Sequence, residues 1–199
     1  MGSEDNRKRK KWQDYSGKNA GVAEKSFFEV FTEYFKGTNF RIRRNTKEFN
    51  NIYSKVGLSK EVLAEIYNPN IKNIKHGISP DYAIENTETG KIIYVEVKRQ
   101  DGWIEGKPRS AGRGNAHERL CKFFTPGLLK LLRKYGKLSN DVLPFWVVFQ
   151  GDITRDPCRV REVTFWFDKY SAHFFMWRNQ ANITPLIEHF NKHIKSLLL

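Results

Sequence analysis

The chain of 199 residues carries 35 Lys and Arg against 22 Asp and Glu, a net charge of +13, and is 39% hydrophobic with 15 Phe, 8 Tyr and 5 Trp. That length suits a single domain over residues 1–199, and the apolar content excludes wholesale disorder. A positive field of this size draws polyanions, which makes nucleic acid the leading partner, while no apolar run reaches the ~18 residues of a membrane span.

The N-terminal charges are followed by no apolar signal core, so the expected location is the cytoplasm. Cys121 and Cys158 stand far apart without a Cys-x-x-Cys pair, and neither a disulfide framework nor a structural zinc site is expected. Arg7-Lys8-Arg9-Lys10-Lys11 is a run of like charges that repel one another. It predicts a flexible basic arm over residues 1–15, suited to following phosphates.

From about Gly21 to Lys36, Phe27, Phe28, Phe31, Tyr34 and Phe35 recur at helical spacing before Gly37, which predicts a core-facing helix. Phe49, Ile52, Tyr53 and Val56 repeat the pattern, as do Val62, Leu63, Ile66 and Tyr67 between Ser59 and Pro69, so three helices are expected before the first strands. Glu24, on the first helix, reads as a solvated carboxylate that is also able to approach a site behind it.

Between Asp81 and Lys98 two β-rich runs flank Asn86-Thr87-Glu88-Thr89-Gly90, a turn-forming cluster of hairpin length. Strand side chains alternate, so Ile93, Val95 and Val97 share one face while Tyr94, Glu96 and Lys98 share the other. Gln100 to Gly114 reads as an extended surface segment, with helix resuming near Asn115 and a second helix opening at Thr125-Pro126. Leu143 to Phe149 reads as a central strand, Val163 to Phe167 and Phe174 to Trp177 as two more, and Thr184-Pro185 as the start of a closing helix. Helices before and after a mixed sheet give an α/β sandwich.

Cleaving a phosphodiester needs an activated water, charge compensation on the phosphoryl oxygens and help for the leaving oxygen. Mg²⁺ is held by one or two carboxylates with waters and substrate phosphate, and Asp81 and Glu96, arriving from neighbouring strands, supply such a pair. Lys98, two residues on and on the same face as Glu96, supplies a cation for the transition state. By itself the spacing is also that of an ordinary hairpin carrying a Glu and a Lys side by side.

The segment Arg113-Gly114-Asn115-Ala116-His117-Glu118-Arg119 adds a second signal. Arginine bonds guanine O6 and N7 in parallel and asparagine does the same at adenine N6 and N7; Gly114 lets the backbone approach DNA, and Ala116 suits a thymine methyl. Glu118 is placed to hold an arginine in its reading rotamer. His189 and His193, four apart, read as solvated histidines, and His76 has no assigned role.

Pro80-Asp81, Glu96-Val97-Lys98 and Gly114-Asn115-Ala116-His117-Glu118-Arg119 together resemble the EcoRI/MunI group of type II restriction endonucleases. Gln100-Asp101-Gly102-Trp103, Phe124-Thr125-Pro126-Gly127-Leu128-Leu129-Lys130 and Gly151-Asp152-Ile153-Thr154-Arg155-Asp156-Pro157 extend the resemblance. It implies the PD-(D/E)xK fold, a central mixed β-sheet flanked by helices, in a bacterial cytoplasmic enzyme. It further implies a homodimer that cuts both strands of palindromic double-stranded DNA with Mg²⁺.

On that resemblance Asp81, Glu96 and Lys98 occupy catalytic positions, with Asp81 and Glu96 on the metal. Asn115, Ala116 and Arg119 read an inner AATT with Glu118 in support, and Arg113 reads an outer guanine. The implied target is CAATTG cut as C/AATTG, leaving 5′ phosphates and 5′ overhangs. GAATTC specificity, a structure-selective nuclease such as a junction resolvase, and a non-cutting DNA-binding protein are the alternatives; the GAATTC branch has Ile where this chain has His117.

Overall fold

The computed structural model describes residues 24–44, 46–66, 76–102, 104–108 and 117–199. The basic arm over residues 1–15, Tyr67, Trp103 and the reading residues Arg113 to Ala116 lie outside this range. Five strands, β1 (Phe40–Arg43), β2 (Tyr82–Asn86), β3 (Ile92–Arg99), β4 (Phe145–Gln150) and β5 (Phe174–Met176), form one sheet in the order β1-β2-β3-β4-β5. The first three run antiparallel, while β4 lies parallel to β3 and β5 parallel to β4.

The β2–β3 hairpin forms where its turn residues predict. Asn86 Oδ1 accepts from the backbone N–H groups of Glu88 and Thr89, and Gly90 takes a left-handed φ of 68° that a side chain would strain. Every residue of β4 is buried, as its unbroken apolar run requires of a strand covered on both faces.

Apolar side chains alternate between two cores. On one face Ile93, Val95, Val97, Trp146 and Val148 meet Phe27 and Phe31 of α1 (residues 24–34), together with Phe190, Ile194 and Leu198 near the C-terminus. On the other, Tyr94, Phe145, Val147 and Phe149 meet Leu120 and Phe123, then Leu128 and Leu132, then Val163 and Phe167. A mixed sheet between two helical layers is the α/β architecture that the sequence predicts.

Several elements differ from expectation. Val163 to Phe167 is not a strand but the end of a helix, Pro157–Phe167, started by Asp156, whose side chain accepts from Cys158 N–H, with Pro157 in the first turn. Phe49 to Val56 forms two short 3₁₀ turns, Lys47–Phe49 and Tyr53–Lys55, instead of a helix. The helix Lys60–Glu65, labelled α2, buries none of its side chains, so Val62, Leu63 and Ile66 are surface and not core. Helix after the reading segment is the 3₁₀ run Glu118–Phe124, leading into α3 (Pro126–Gly136); Pro157–Phe167 is α4 and Thr184–His189 is α5. Among the described residues no helix is long and apolar enough to cross a membrane.

Candidate active site

Asp81 stands one residue before β2, and Glu96 and Lys98 lie toward the far end of β3. The β2–β3 ladder reaches Tyr82 opposite Val95, beyond which Asp81 takes over: its Oδ2 accepts from Val97 N–H at 2.8 Å. A side chain thus continues the ladder, which fixes the carboxylate beside β3. Behind it, buried Thr46 donates through its hydroxyl to Pro80 C=O at 3.2 Å, and Ile78 N–H donates to Phe49 C=O. A Cβ on Gly77 would overlap that Phe49 carbonyl oxygen, so glycine there allows the two segments to meet.

Lys98 Nζ lies 2.5 Å from Glu96 Oε1. The second carboxylate oxygen, Glu96 Oε2, is buried and has no hydrogen-bond partner among the described residues. Leaving a charged oxygen so placed is costly unless a cation or donor reaches it. Burial, then repulsion from Glu96, pushes the Asp81 pKa up to about 7, against the pull of Lys98 and the Val97 N–H. Two crowded, desolvated carboxylates with an unpartnered oxygen fit a hard divalent cation, which takes its other ligands from water and phosphate. Among the described residues no group of three His, Cys, Asp or Glu side chains forms a metal cluster.

A cleft of about 650 Å³ opens at Asp81, bordered by Glu24, Lys25, Arg44, Lys47 and Ser79. Glu24 is not the solvated carboxylate expected. It is half-buried, and its pKa is raised by that burial, with Lys98 and Arg44 opposing and Glu96 adding to the rise. Its position three and four residues before Phe27 and Phe28, on the apolar stripe of α1, was the available sign. Arg44, which sequence reasoning missed, holds its guanidinium 4.2 Å above the Phe28 ring and 5.9 Å from that of Tyr82.

The structure thus brings Asp81, Glu96 and Lys98 together. Of the reading segment, Glu118 and Arg119 are exposed, whereas His117 is fully buried. In the chain without DNA, His117 therefore presents no surface to a base edge. His189 is likewise not solvated; it donates through Nε2 to Ala172 C=O at 2.9 Å and stacks on Trp146, and burial pushes its pKa down to about 4. His76 is exposed and packs on Tyr53.

A five-stranded mixed sheet between helical layers, with carboxylates and cations gathered where β2 and β3 diverge, defines a restriction-endonuclease-like fold. The family described as Type II restriction enzyme MunI matches residues 1–199. A Type II restriction enzyme MunI of a Mycoplasma species is 50% identical over 201 residues, covering 100% of both chains. The crystal structure of MunI restriction endonuclease with cognate DNA superposes with a TM-score of 0.80 at 51% identity, over 94% of this chain and 97% of that one. The chain belongs to the MunI family of type II restriction enzymes and is a site-specific deoxyribonuclease.

Proposed function

We propose that this enzyme is a homodimer that uses Mg²⁺ to hydrolyse CAATTG as C/AATTG. Asp81 and Glu96 hold the ion, and Lys98 carries positive charge to the phosphoryl group under attack. A water oxygen bonds to phosphorus and releases a proton to solvent, the P–O3′ bond breaks, and the leaving 3′ oxygen takes a proton from solvent, so the products are a 5′ phosphate and a 3′ hydroxyl. When bound, the divalent ion supplies charge compensation on the phosphoryl oxygens and lowers the pKa of the attacking water.

The residues prepare that chemistry before substrate arrives. Lys98 is tied to Glu96, so its ammonium is oriented without a search through rotamers. Asp81 is held by the Val97 N–H, and Arg44, braced on Phe28, lines the same cleft as a cation for the DNA backbone. Arg113, Asn115, Ala116 and Arg119 read base edges, Gly114 lets the backbone approach, and Glu118 supports the readers.

The observation that carries the proposal is Glu96 Oε2, buried without a hydrogen-bond partner among the described residues, beside a second carboxylate whose pKa is raised by burial and then by repulsion from Glu96. A twofold dimer gives each half of a palindrome one reading segment and one site. Its support here is apolar surface left open at Val56, Leu58, Val62, Leu63 and Ile66, each at least 40% exposed. Digesting a fully sequenced plasmid with Mg²⁺ and sequencing the ends tests target and cut together. Discrete fragments with AATT overhangs are expected; smears, or cutting confined to branched DNA, would overturn the reading. Sedimentation should give twice the chain mass.

A further inference from the structure

His117 joins three elements that the chain keeps far apart. Its ring is fully buried and lies nearly parallel to Trp166, 5.5 Å between centroids at 13°. Nε2 stands 3.1 Å from Glu162 Oε2 on α4, and Nδ1 stands 3.3 Å from Gln100 Oε1 at the end of β3. Glu162 is fixed in turn by Arg159, whose guanidinium donates to the same oxygen at 2.5 Å. Gln100 is fixed by its backbone: its N–H donates to Gln150 C=O, and its C=O accepts from Ile153 N–H.

Each end of this bridge has a short path to something that acts on DNA. Gln100 follows Lys98 by two residues along β3, and two strand residues span ~7 Å of nearly inextensible backbone. Glu118 and Arg119, the exposed end of the reading segment, follow His117 directly, so the buried ring anchors the backbone from which they project. Burial and the Arg159 guanidinium hold the His117 pKa below its ordinary value, so the ring is neutral near pH 7 and has one N–H to give. Given to Glu162, it leaves Nδ1 as an acceptor that the Gln100 amide satisfies by turning its N–H inward.

We infer that His117 is a positioning residue that couples base reading to cleavage: it transmits the seating of Glu118 and Arg119 through Gln100 to the catalytic end of β3. The inference rests on the proposed base-reading role of the reading segment and goes beyond it. With no accessible surface, His117 acts through its two hydrogen bonds. A misplacement of ~1 Å at reacting atoms costs about 100-fold in rate, so a small slackening of this bridge is enough to register.

The test compares full-length wild type with His117→Phe, which keeps the ring stacked on Trp166 but removes both hydrogen bonds, and with Gln100→Leu and Glu162→Leu at opposite ends of the bridge. Single-turnover cleavage at saturating enzyme is measured on the hexamer that wild type cuts and on one-base-changed sites, with DNA affinity measured without divalent ion. Cognate cleavage should fall ~10- to 100-fold and changed-site cleavage less than ~3-fold, with affinity within ~3-fold. Glu162→Gln, which keeps an acceptor, should restore most of the discrimination. Leu132→Ala serves as a core lesion away from the bridge, and it should lower the melting temperature without changing the ratio. If wild type is selective and every folded bridge variant keeps its cognate-to-changed ratio within about twofold, the coupling is overturned. If wild type itself shows no site preference, the base-reading role fails instead.

Discussion

Lys98 and Glu96 meet at 2.5 Å through Nζ and Oε1, an arrangement that occupies one carboxylate oxygen and leaves Oε2 buried without a hydrogen-bond partner among the described residues. The lysine therefore neutralises half of the group while the other half stays open to a cation. Lys98→Met keeps much of the stem and removes the charge. Single-turnover cleavage should fall by ~10²–10³, as when one transition-state donor is lost, while DNA affinity without divalent ion changes little. An equal loss in affinity would mean that Lys98 holds DNA in the ground state.

Asp81 gives a pH signature. Its carboxyl titrates near 7 in the folded chain against an ordinary value of 3.8, so the folded state keeps a proton that the unfolded state has released. The contribution to metal-free stability is full below about pH 4, is lost as pH rises toward 7, and is level above. Asp81→Asn keeps an acceptor for the Val97 N–H and stays neutral. It should melt at least ~4 °C above metal-free wild type near pH 8, since a tenfold change in proton affinity is worth about 1.4 kcal/mol. The gap should close near pH 4, and Mg²⁺ should raise wild type alone; a gap indifferent to pH would rule out buried charge as its origin.

How much of this was legible in the sequence depended on the range of each signal. Alternation along Ile93 to Lys98 placed Glu96 and Lys98 on one side, and Asn86 to Gly90 closed the hairpin as its turn chemistry requires. α4 was misread because aromatic Phe165, Trp166 and Phe167 look β-rich, although Asp156-Pro157 marks a helix start and Val160, Val163 and Phe167 fit one helical face. Phe165, the centre of the supposed strand, is 83% exposed. The burial of His117 was not legible at all, because its partners Gln100 and Glu162 are brought to it only by the packing of β3 and α4.

The start of α4 is testable separately. Asp156 Oδ1 accepts from Cys158 N–H at 3.2 Å and from Glu105 N–H at 3.3 Å, and the residue is 2% exposed. Asp156→Ala removes a helix cap and a tie to the 104–108 segment. The cap alone is worth ~1 kcal/mol, which for a chain of this size is a drop of ~2–4 °C in melting temperature. Asp156→Asn should recover most of it, and no loss in thermal melts would show that solvent replaces the cap.

Arg44 distinguishes backbone contact from base reading. Its guanidinium is braced on Phe28 and lines the Asp81 cleft, which predicts a contact with phosphate and an effect indifferent to sequence. Arg44→Ala should weaken binding to cognate and changed sites by the same factor and reduce the slope of log affinity against log salt by about 1. Arg113→Ala should instead cost ~1–3 kcal/mol on the cognate site and little elsewhere, because a bidentate base contact is lost only where the right base is present. Titrating both variants against both sites at three salt concentrations separates the two behaviours. A site-specific loss from Arg44→Ala would move that residue from the backbone to the bases.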